Sequence, residues 1–392
     1  MNKNIKTVDI NSTWVVIVAV LLSAASVMVF NAQPVILGVA SDQLGLSPGQ
    51  LGMLATAEIG GIGIASVTAV FWIRRLSWRT AAMAGLCVMI AGNLLSALFD
   101  QFLPLALTRF FIGLLGEGVV FAVAIGVIGD TEDSDRAFAF TLAGQVGFGM
   151  VGLWGFPYLA QPWGYDGIVI CLGAIALASL FLLRWVPLHG IKETVVAEAS
   201  VESAPLLPVF LGLGAMFLWF TGLSGVWAFI ERMGIESGLA QTQVGSILAL
   251  GMALGMLGAL LASWVGDRYG RFWQPVVSLV AHMGLSIVLA TSDSPNPYII
   301  SVLSFTFIWN IGLPYLLGLI ANADVSGRFV VLIIAAQAFG NALGPSIAGS
   351  VASAENLTMI GFTASGFCLL SLLIYSLFVV QVKRIHLVPS TV

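Results

Sequence analysis

Three charged residues, Glu58, Arg109 and Glu117, stand inside long apolar stretches of this sequence. A charge at the centre of a bilayer costs at least about 2.5–3.5 kcal/mol, so such residues face protein or water. Glu58 lies in Ala-Thr-Ala-Glu-Ile-Gly-Gly, with no basic residue near it in sequence, and Glu117 lies between two glycines. Both are carboxyls suited to carrying a proton. Arg109 is permanently charged and can hold a carboxylate or phosphate with two parallel hydrogen bonds. Eight residues separate Arg109 from Glu117, roughly 12 Å of rise and 80° of rotation on an α-helix. Each is therefore expected to meet a group on another helix, or a solute, rather than the other.

The surrounding composition says what must position these charges. Of 392 residues, 59% are hydrophobic and 9% charged, and mean hydropathy is +1.01. A water-soluble chain of this length could not bury so much apolar surface. Apolar runs of about 20 residues recur, each able to cross a hydrocarbon core of about 30 Å. Twelve spans are expected, at roughly 14–38, 50–72, 80–99, 103–128, 137–159, 167–187, 208–231, 242–265, 272–290, 298–321, 329–352 and 357–380. The first reads as a membrane helix and not as a cleavable signal. The polar, acidic stretch 188–207 reads as a cytoplasmic linker between six-helix bundles at 1–187 and 208–392.

Lysine and arginine set the orientation. With the N-terminus inside, Lys3, Lys6, Arg74, Arg75, Arg79, Arg136, Arg184, Lys192, Arg268, Arg271, Arg328, Lys383 and Arg384 fall on inner segments and only Arg232 on an outer one. Cytoplasmic N- and C-termini follow. Short loops suit a bacterial inner (plasma) membrane. Cys87, Cys171 and Cys368 lie in separate apolar runs without a C-x-x-C pair, so neither a disulfide framework nor a metal site is expected. No cofactor is expected, and the lack of a basic surface excludes nucleic acid as a partner.

The chain also repeats itself. Gly63, Trp72, Arg79, Gln145 and Gly152 recur as Gly255, Trp264, Arg271, Gln337 and Gly344, each 192 residues later, which points to two related halves. The segment Gly266-Asp267-Arg268-Tyr269-Gly270-Arg271 resembles the D-R-x-G-R loop of the major facilitator superfamily (MFS). Leu105-Ala-Leu-Thr-Arg109-Phe-Phe-Ile-Gly113 resembles its L-x-x-x-R-x-x-x-G helix signature. The resemblance covers the whole chain and implies an all-α membrane protein with the MFS fold, twelve transmembrane helices in two pseudo-symmetric six-helix bundles. It makes the second-half loop an inner gate latch built on Asp267, Arg268 and Arg271. In the first-half copy Arg75 stands at the place of the acid and Trp78 at that of the glycine. The stretch from Arg109 to Gly118 is similar to the R-x-x-x-G-x-x-E-G helix of organic-anion symporters, with one residue more between Arg109 and Glu117. Glu231 and Arg232, at the outer end of the seventh span, read either as an external gate or as a solvated helix end.

Family geometry places the first, fourth, seventh and tenth helices around a central cavity. Their polar and aromatic residues are Asn31, Gln33, Arg109, Trp219, Trp227, Trp309, Asn310 and Tyr315; the fifth and eleventh helices add Gln145, Gln337 and Asn341. Amides and indoles suit a solute with a polar head and a carbon skeleton, and several of them could instead bond between helices. His282 reads as a hydrogen-bonded packing residue. Gly340 to Gly349, with its Gly344-Pro345 pair, is similar to an antiporter pattern and reads as close packing and a bend. The expectation is a monomeric secondary transporter of a small organic solute, working by alternating access and coupled to protons through Glu58 and Glu117. An organic anion is favoured because Arg109 lies in the membrane, and uptake is favoured over export. A proton-coupled drug or metabolite efflux antiporter and a non-transporting receptor are the alternatives. The chain has no clustered nucleophile, base or metal ligands that would make an enzyme.

Overall fold

The computed structural model describes residues 9–190, 206–266, 268, 270–324, 330–353 and 356–387. Among them the regular structure is helical apart from one isolated bridge between Ser353 and Asn356. The α-helices are α1 (Thr13–Ser26), α2 (Met28–Leu44), α3 (Pro48–Trp72), α4 (Trp78–Ser96), α5 (Phe102–Phe111), α6 (Gly118–Gly129) and α7 (Ser134–Leu180). The expected linker lies largely outside the described residues, and beyond it come α8 (Leu206–Glu236), α9 (Gln241–Val265), α10 (Trp273–Thr291), α11 (Pro295–Ala323), α12 (Val330–Val351) and α13 (Thr358–Leu387). Large apolar side chains such as Leu107, Leu115, Trp154, Leu260 and Leu373 are exposed along these helices, as lipid-facing residues must be.

The chain divides into two compact units, Met1–Gly45 with Ala57–Val196, and Leu46–Thr56 with Ala197–Val392. In the first, α7 packs along α1, α2 and α4, and α6 lies against α1 and α4. In the second, α8 packs on α12 and α13, α9 on α11, and α10 on α11 and α13. The opening turns of α3 belong to the second unit: Thr56 donates to the Ala342 carbonyl at 2.5 Å and accepts from the Ser346 hydroxyl at 2.6 Å. The Gly344-Pro345 stretch is thus a packing segment. Residues at the helix ends explain where helices start. Ser47 and Gln50 cap one another's backbone N–H groups at 2.9 and 3.3 Å ahead of Pro48, a capping box with proline at the first helical position.

Eleven helices among the described residues are long and apolar enough to cross a membrane. The expected fifth and sixth spans lie in one helical run, Ser134–Trp185, 52 residues long. At 1.5 Å per residue that is about 78 Å, more than twice a hydrocarbon core. Its break is Gly164, at φ 63°, ψ −149°, a conformation open essentially to glycine alone. Gln43 closes the break, its side-chain oxygen accepting from Tyr165 N at 2.6 Å. The expected first span is also divided, because Val27 (φ −108°, ψ 7°) separates α1 from α2.

Candidate functional site

The three intramembrane charges come together in the first unit. Arg109 occupies the last turn of α5, and its side chain is buried against α3 and α4. One amino group, Nη2, pairs with Glu58 of α3; the other, Nη1, donates to Asn93 Oδ1 of α4 at 2.8 Å. Asn93 Nδ2 in turn donates to the Met89 carbonyl at 2.8 Å. Arg109 is 1% exposed, Glu58 5% and Glu117 0%. Glu117 lies within electrostatic reach of both Glu58 and Arg109, yet neither of its carboxyl oxygens has a hydrogen-bond partner. The Tyr165 hydroxyl, which acts electrostatically on Arg109, is likewise buried without one. Orphaned buried polar atoms are rare enough to need a reason.

A local irregularity sets this geometry. Residues Ile112–Glu117 form a π-helical turn between α5 and α6. A π turn spaces its bonds one residue wider than an α turn and so absorbs one extra residue. The eight residues from Arg109 to Glu117 then behave as seven would on an α-helix, about 20° from a common face. The expectation that the two look in directions 80° apart is corrected by this turn. Glycine lets the neighbouring backbone in: a Cβ on Gly61 of α3 would sit 2.6 Å from the Phe110 carbonyl oxygen, and one on Gly113 would overlap the Glu58 carbonyl.

The amides of the first helix and of α7 form a second polar set. Asn31 donates to the Gln145 carbonyl at 3.0 Å, and Gln145 Nε2 donates to Ser23 Oγ at 2.6 Å. Gln33 is buried and its Oε1 has no partner. Ser23 and Asn31 lie on either side of the Val27 break, and Gln145 bonds to both.

In the second unit five rings close a circuit: Trp219, Phe220, Trp309, Phe305 and His282 meet edge to face, with centroids 4.8 to 6.5 Å apart. His282 is also held by the Ser278 and Phe305 carbonyls at 2.6 and 3.1 Å, the packing role expected of it. Four members are buried and Trp309 is half-buried. Trp219 Nε1 and Asn341 Oδ1 lack partners. Asn310 is engaged by the Thr306 carbonyl at 2.9 Å, and the Tyr315 hydroxyl donates towards the Ala262 and Gly266 carbonyls at 3.2 and 3.0 Å. Trp227 is buried in α8, and Gln337 is half-buried on α12.

Among the expected gating residues, Asp267 lies outside the described residues. The Arg268 guanidinium lies over the Trp264 ring at 5.2 Å, and Arg271 extends alongside Gly318. Glu231 is buried; it pairs with Arg232 at 2.7 Å and accepts from Gln241 at 3.2 Å, so it is no solvated helix end. The first-half loop carries an ion pair of its own. Arg74 grips Asp130 through both amino groups, at 2.8 and 2.7 Å. That hydrogen bonding holds the guanidinium above the usual arginine range, with burial opposing. Arg79 donates to the Val186 and Arg184 carbonyls at 2.9 and 3.2 Å, and Trp78 N to Leu188 O at 2.8 Å. The substituted copy of the loop motif thus clasps the backbone of residues 184–188.

Asn93, Tyr165 and Ser23 are the site residues that sequence reasoning misses. The signal available for Asn93 is a lone amide in the apolar run Gly85-Leu-Cys-Val-Met-Ile-Ala-Gly-Asn93-Leu-Leu.

The sequence profile of the Major Facilitator Superfamily matches residues 15–325. Over 186 residues the chain is 25% identical to the inner membrane transport protein YdhP of Escherichia coli (strain K12). That match covers 45% of this chain and 48% of the relative, so the chain spans about half the length of the curated relative it matches. The nucleoside transporter NupG has a similar fold, with a TM-score of 0.71 at 12% identity over 94% of this chain and 99% of that one. A bacterial homologue of the human lysosomal transporter Spinster, inward-facing and occupied, gives 0.71 at 17% identity over 94% and 97%. A D-xylose–proton symporter gives 0.73 at 14% identity over 93% and 97%. At such identities the likeness carries the fold and no solute.

Proposed function

The chain belongs to the Major Facilitator Superfamily and is a multi-pass membrane protein, and we propose that it is a transporter, not an enzyme, and moves a small organic solute by alternating access in exchange for, or together with, protons. The observation that carries the coupling is the buried set of one cation and two acids. Arg109 balances one carboxylate; the second must be neutralised by a proton or left as an unpaired buried charge, which is prohibitively costly. Glu58 holds the cation in this structure, and Glu117 is the proton carrier. When Glu117 releases its proton, its carboxylate competes with Glu58 for Arg109. That exchange changes the contact between α3 and the α5–α6 helix, and with it the relative stability of the transporter's conformations.

Within the first unit solute recognition falls to Gln33, whose buried oxygen lacks an internal partner, with Asn31 and Gln145; within the second it falls to Trp219 and Asn341, which also carry unpartnered polar atoms, with Trp227, Trp309, Asn310, Tyr315 and Gln337. Arg109 enters as the coupling cation, since both of its amino groups are engaged. Its charge therefore gives no ground for an anionic solute. Asp267, Arg268 and Arg271 serve an inner gate, and Glu231 with Arg232 an outer one. A bacterial plasma membrane is the setting, on the pattern of YdhP, and the protein acts as a monomer.

The test is proton movement in sealed proteoliposomes on addition of organic acids, amino acids, sugars, nucleosides and cationic dyes. A solute-driven internal pH change is expected, abolished in Glu117→Gln while solute exchange persists. Inward solute movement with protons marks uptake, and the opposite sign marks efflux. Solute flux that never moves a proton would overturn the coupling.

A further inference from the structure

Arg109 is held from two sides by chemically different groups. One amino group meets a carboxylate, Glu58, and the other a neutral amide, Asn93. The amide is fixed in its orientation, because its nitrogen is committed to the Met89 carbonyl and its oxygen is the atom left to face the guanidinium. The partners acting on Arg109 besides Asn93 are Glu58, Glu117 and Tyr165, and Asp166 acts on Tyr165 in turn. All of these ionise. Asn93 is the described partner of Arg109 whose charge is the same at every pH.

Resting on the coupling reading above, we propose that Asn93 is the positioning residue of the proton site, a fixed neutral acceptor that anchors one amino group of Arg109 while Glu58 and Glu117 compete for the other. An arginine side chain free at both amino groups would swing towards whichever carboxylate was ionised, and the two acids would then see similar surroundings. Anchored at Nη1, the guanidinium keeps one place, and the acids differ by their distance from it. An aspartate could not do this without adding a third negative charge to the set. An apolar residue would leave a buried N–H unpaired.

Acid–base infrared difference spectroscopy on the full-length protein in lipid nanodiscs tests the proposal without knowledge of the solute. The bands followed are the C=O stretches of protonated carboxyl groups, assigned by their loss in Glu117→Gln and Glu58→Gln. Asn93→Asp, which keeps the side chain's shape, is expected to displace the titration midpoint of the glutamate bands by at least about one pH unit. Asn93→Leu is expected to shift their frequency as well, and Asn93→Ser, which retains an acceptor, to lie between it and the parent protein. A purely structural asparagine would alter melting without moving midpoint or frequency. Glutamate bands that titrate identically in the parent and in Asn93→Asp would overturn the role of Asn93 and leave the coupling reading standing. A spectrum with no band assignable to either glutamate overturns both. Should Asn93→Leu fail to fold, the nearly isosteric Asn93→Asp decides alone.

Discussion

Arg109 and Glu58 are each buried with the other as counter-charge, so the loss of one partner matters more than the pair itself. Arg109→Met leaves the Glu58 carboxylate unpaired and is expected to cost about 3–5 kcal/mol of stability. The double replacement Glu58→Leu with Arg109→Met removes both charges and is expected to recover most of that. Thermal unfolding of the purified protein reads the difference, and a double variant melting no higher than Arg109→Met would show that the two are not coupled. The solute-facing amides behave differently. Gln33→Leu and Asn341→Leu break no hydrogen bond of their orphaned oxygens, so melting is expected to hold while the solute KM rises about tenfold, the worth of one lost hydrogen bond. Asn31→Leu, which breaks a 3.0 Å bond to Gln145, is expected to lower the melting temperature as well as raise KM. At this scale the sequence reveals the charges and hides their partners. A lone acid or arginine in an apolar run has few places to go, so Glu58, Arg109 and Glu117 are legible. Their pairing is not, because Glu58 and Arg109 stand 51 residues apart and nothing local records the contact. Asn93 is still less visible, since neutral amides in membrane helices commonly bond between helices at modest gain.

The π turn and the Gly164 break show where helix-level reasoning reaches its end. Apolar runs of the right length identify the passes, because the bilayer leaves the backbone little choice but helix. Periodicity carries no mark of a single wider turn, and only the extra residue between Arg109 and Glu117 betrays it. Deleting Leu115, half-exposed on the outer face of that turn, is expected to convert it to α-helix with Arg109 and Glu117 still on one face. The deletion variant should melt at or above the parent, whereas deleting Val123, buried in regular α6, rotates everything beyond it by about 100° and should prevent folding. Equal damage from both deletions would mean that the turn is not an absorbed insertion. Gly164 has its own test. A side chain there meets a forbidden backbone conformation and overlaps Gln43, so Gly164→Ala is expected to cost about 1–3 kcal/mol for the backbone alone. Adding Gln43→Ala relieves the overlap and not the backbone, so the double variant should stay less stable than Gln43→Ala by that amount.

Each unit has one end where its basic loops meet, and this decides how the molecule lies in a membrane. In the first unit Asn11 bonds Glu132, Arg74 bonds Asp130, and Arg79 bonds the carbonyls of Arg184 and Val186. The N-terminal segment, the α3–α4 and α6–α7 loops and the end of the long α7 run are thus at one end. The two ends of that 52-residue run, near Arg136 and Arg184, therefore lie at the same end of the unit, so it crosses twice and turns at Gly164, held by Gln43. In the second unit Tyr315 reaches Gly266, Tyr375 donates to the Phe272 carbonyl at 3.0 Å, and Lys383 lies over the Phe272 ring. Arg232 and Gln241 mark the other end, as does Thr358, which donates to the Ala290 carbonyl. Lysine and arginine gather at the first kind of end, and positive charge stays on the cytoplasmic side. Both termini are therefore expected inside. With Cys87, Cys171 and Cys368 replaced by serine or alanine, a membrane-impermeant thiol reagent applied to intact cells should label Ser292→Cys and Gln241→Cys. It should label His189→Cys and Asp133→Cys only after the membrane is opened. Labelling in the reverse order would invert the molecule. The inner gate would then face outward, and the proton carried by Glu117 would be offered to the opposite compartment, so the same measurement fixes which gradient can drive transport.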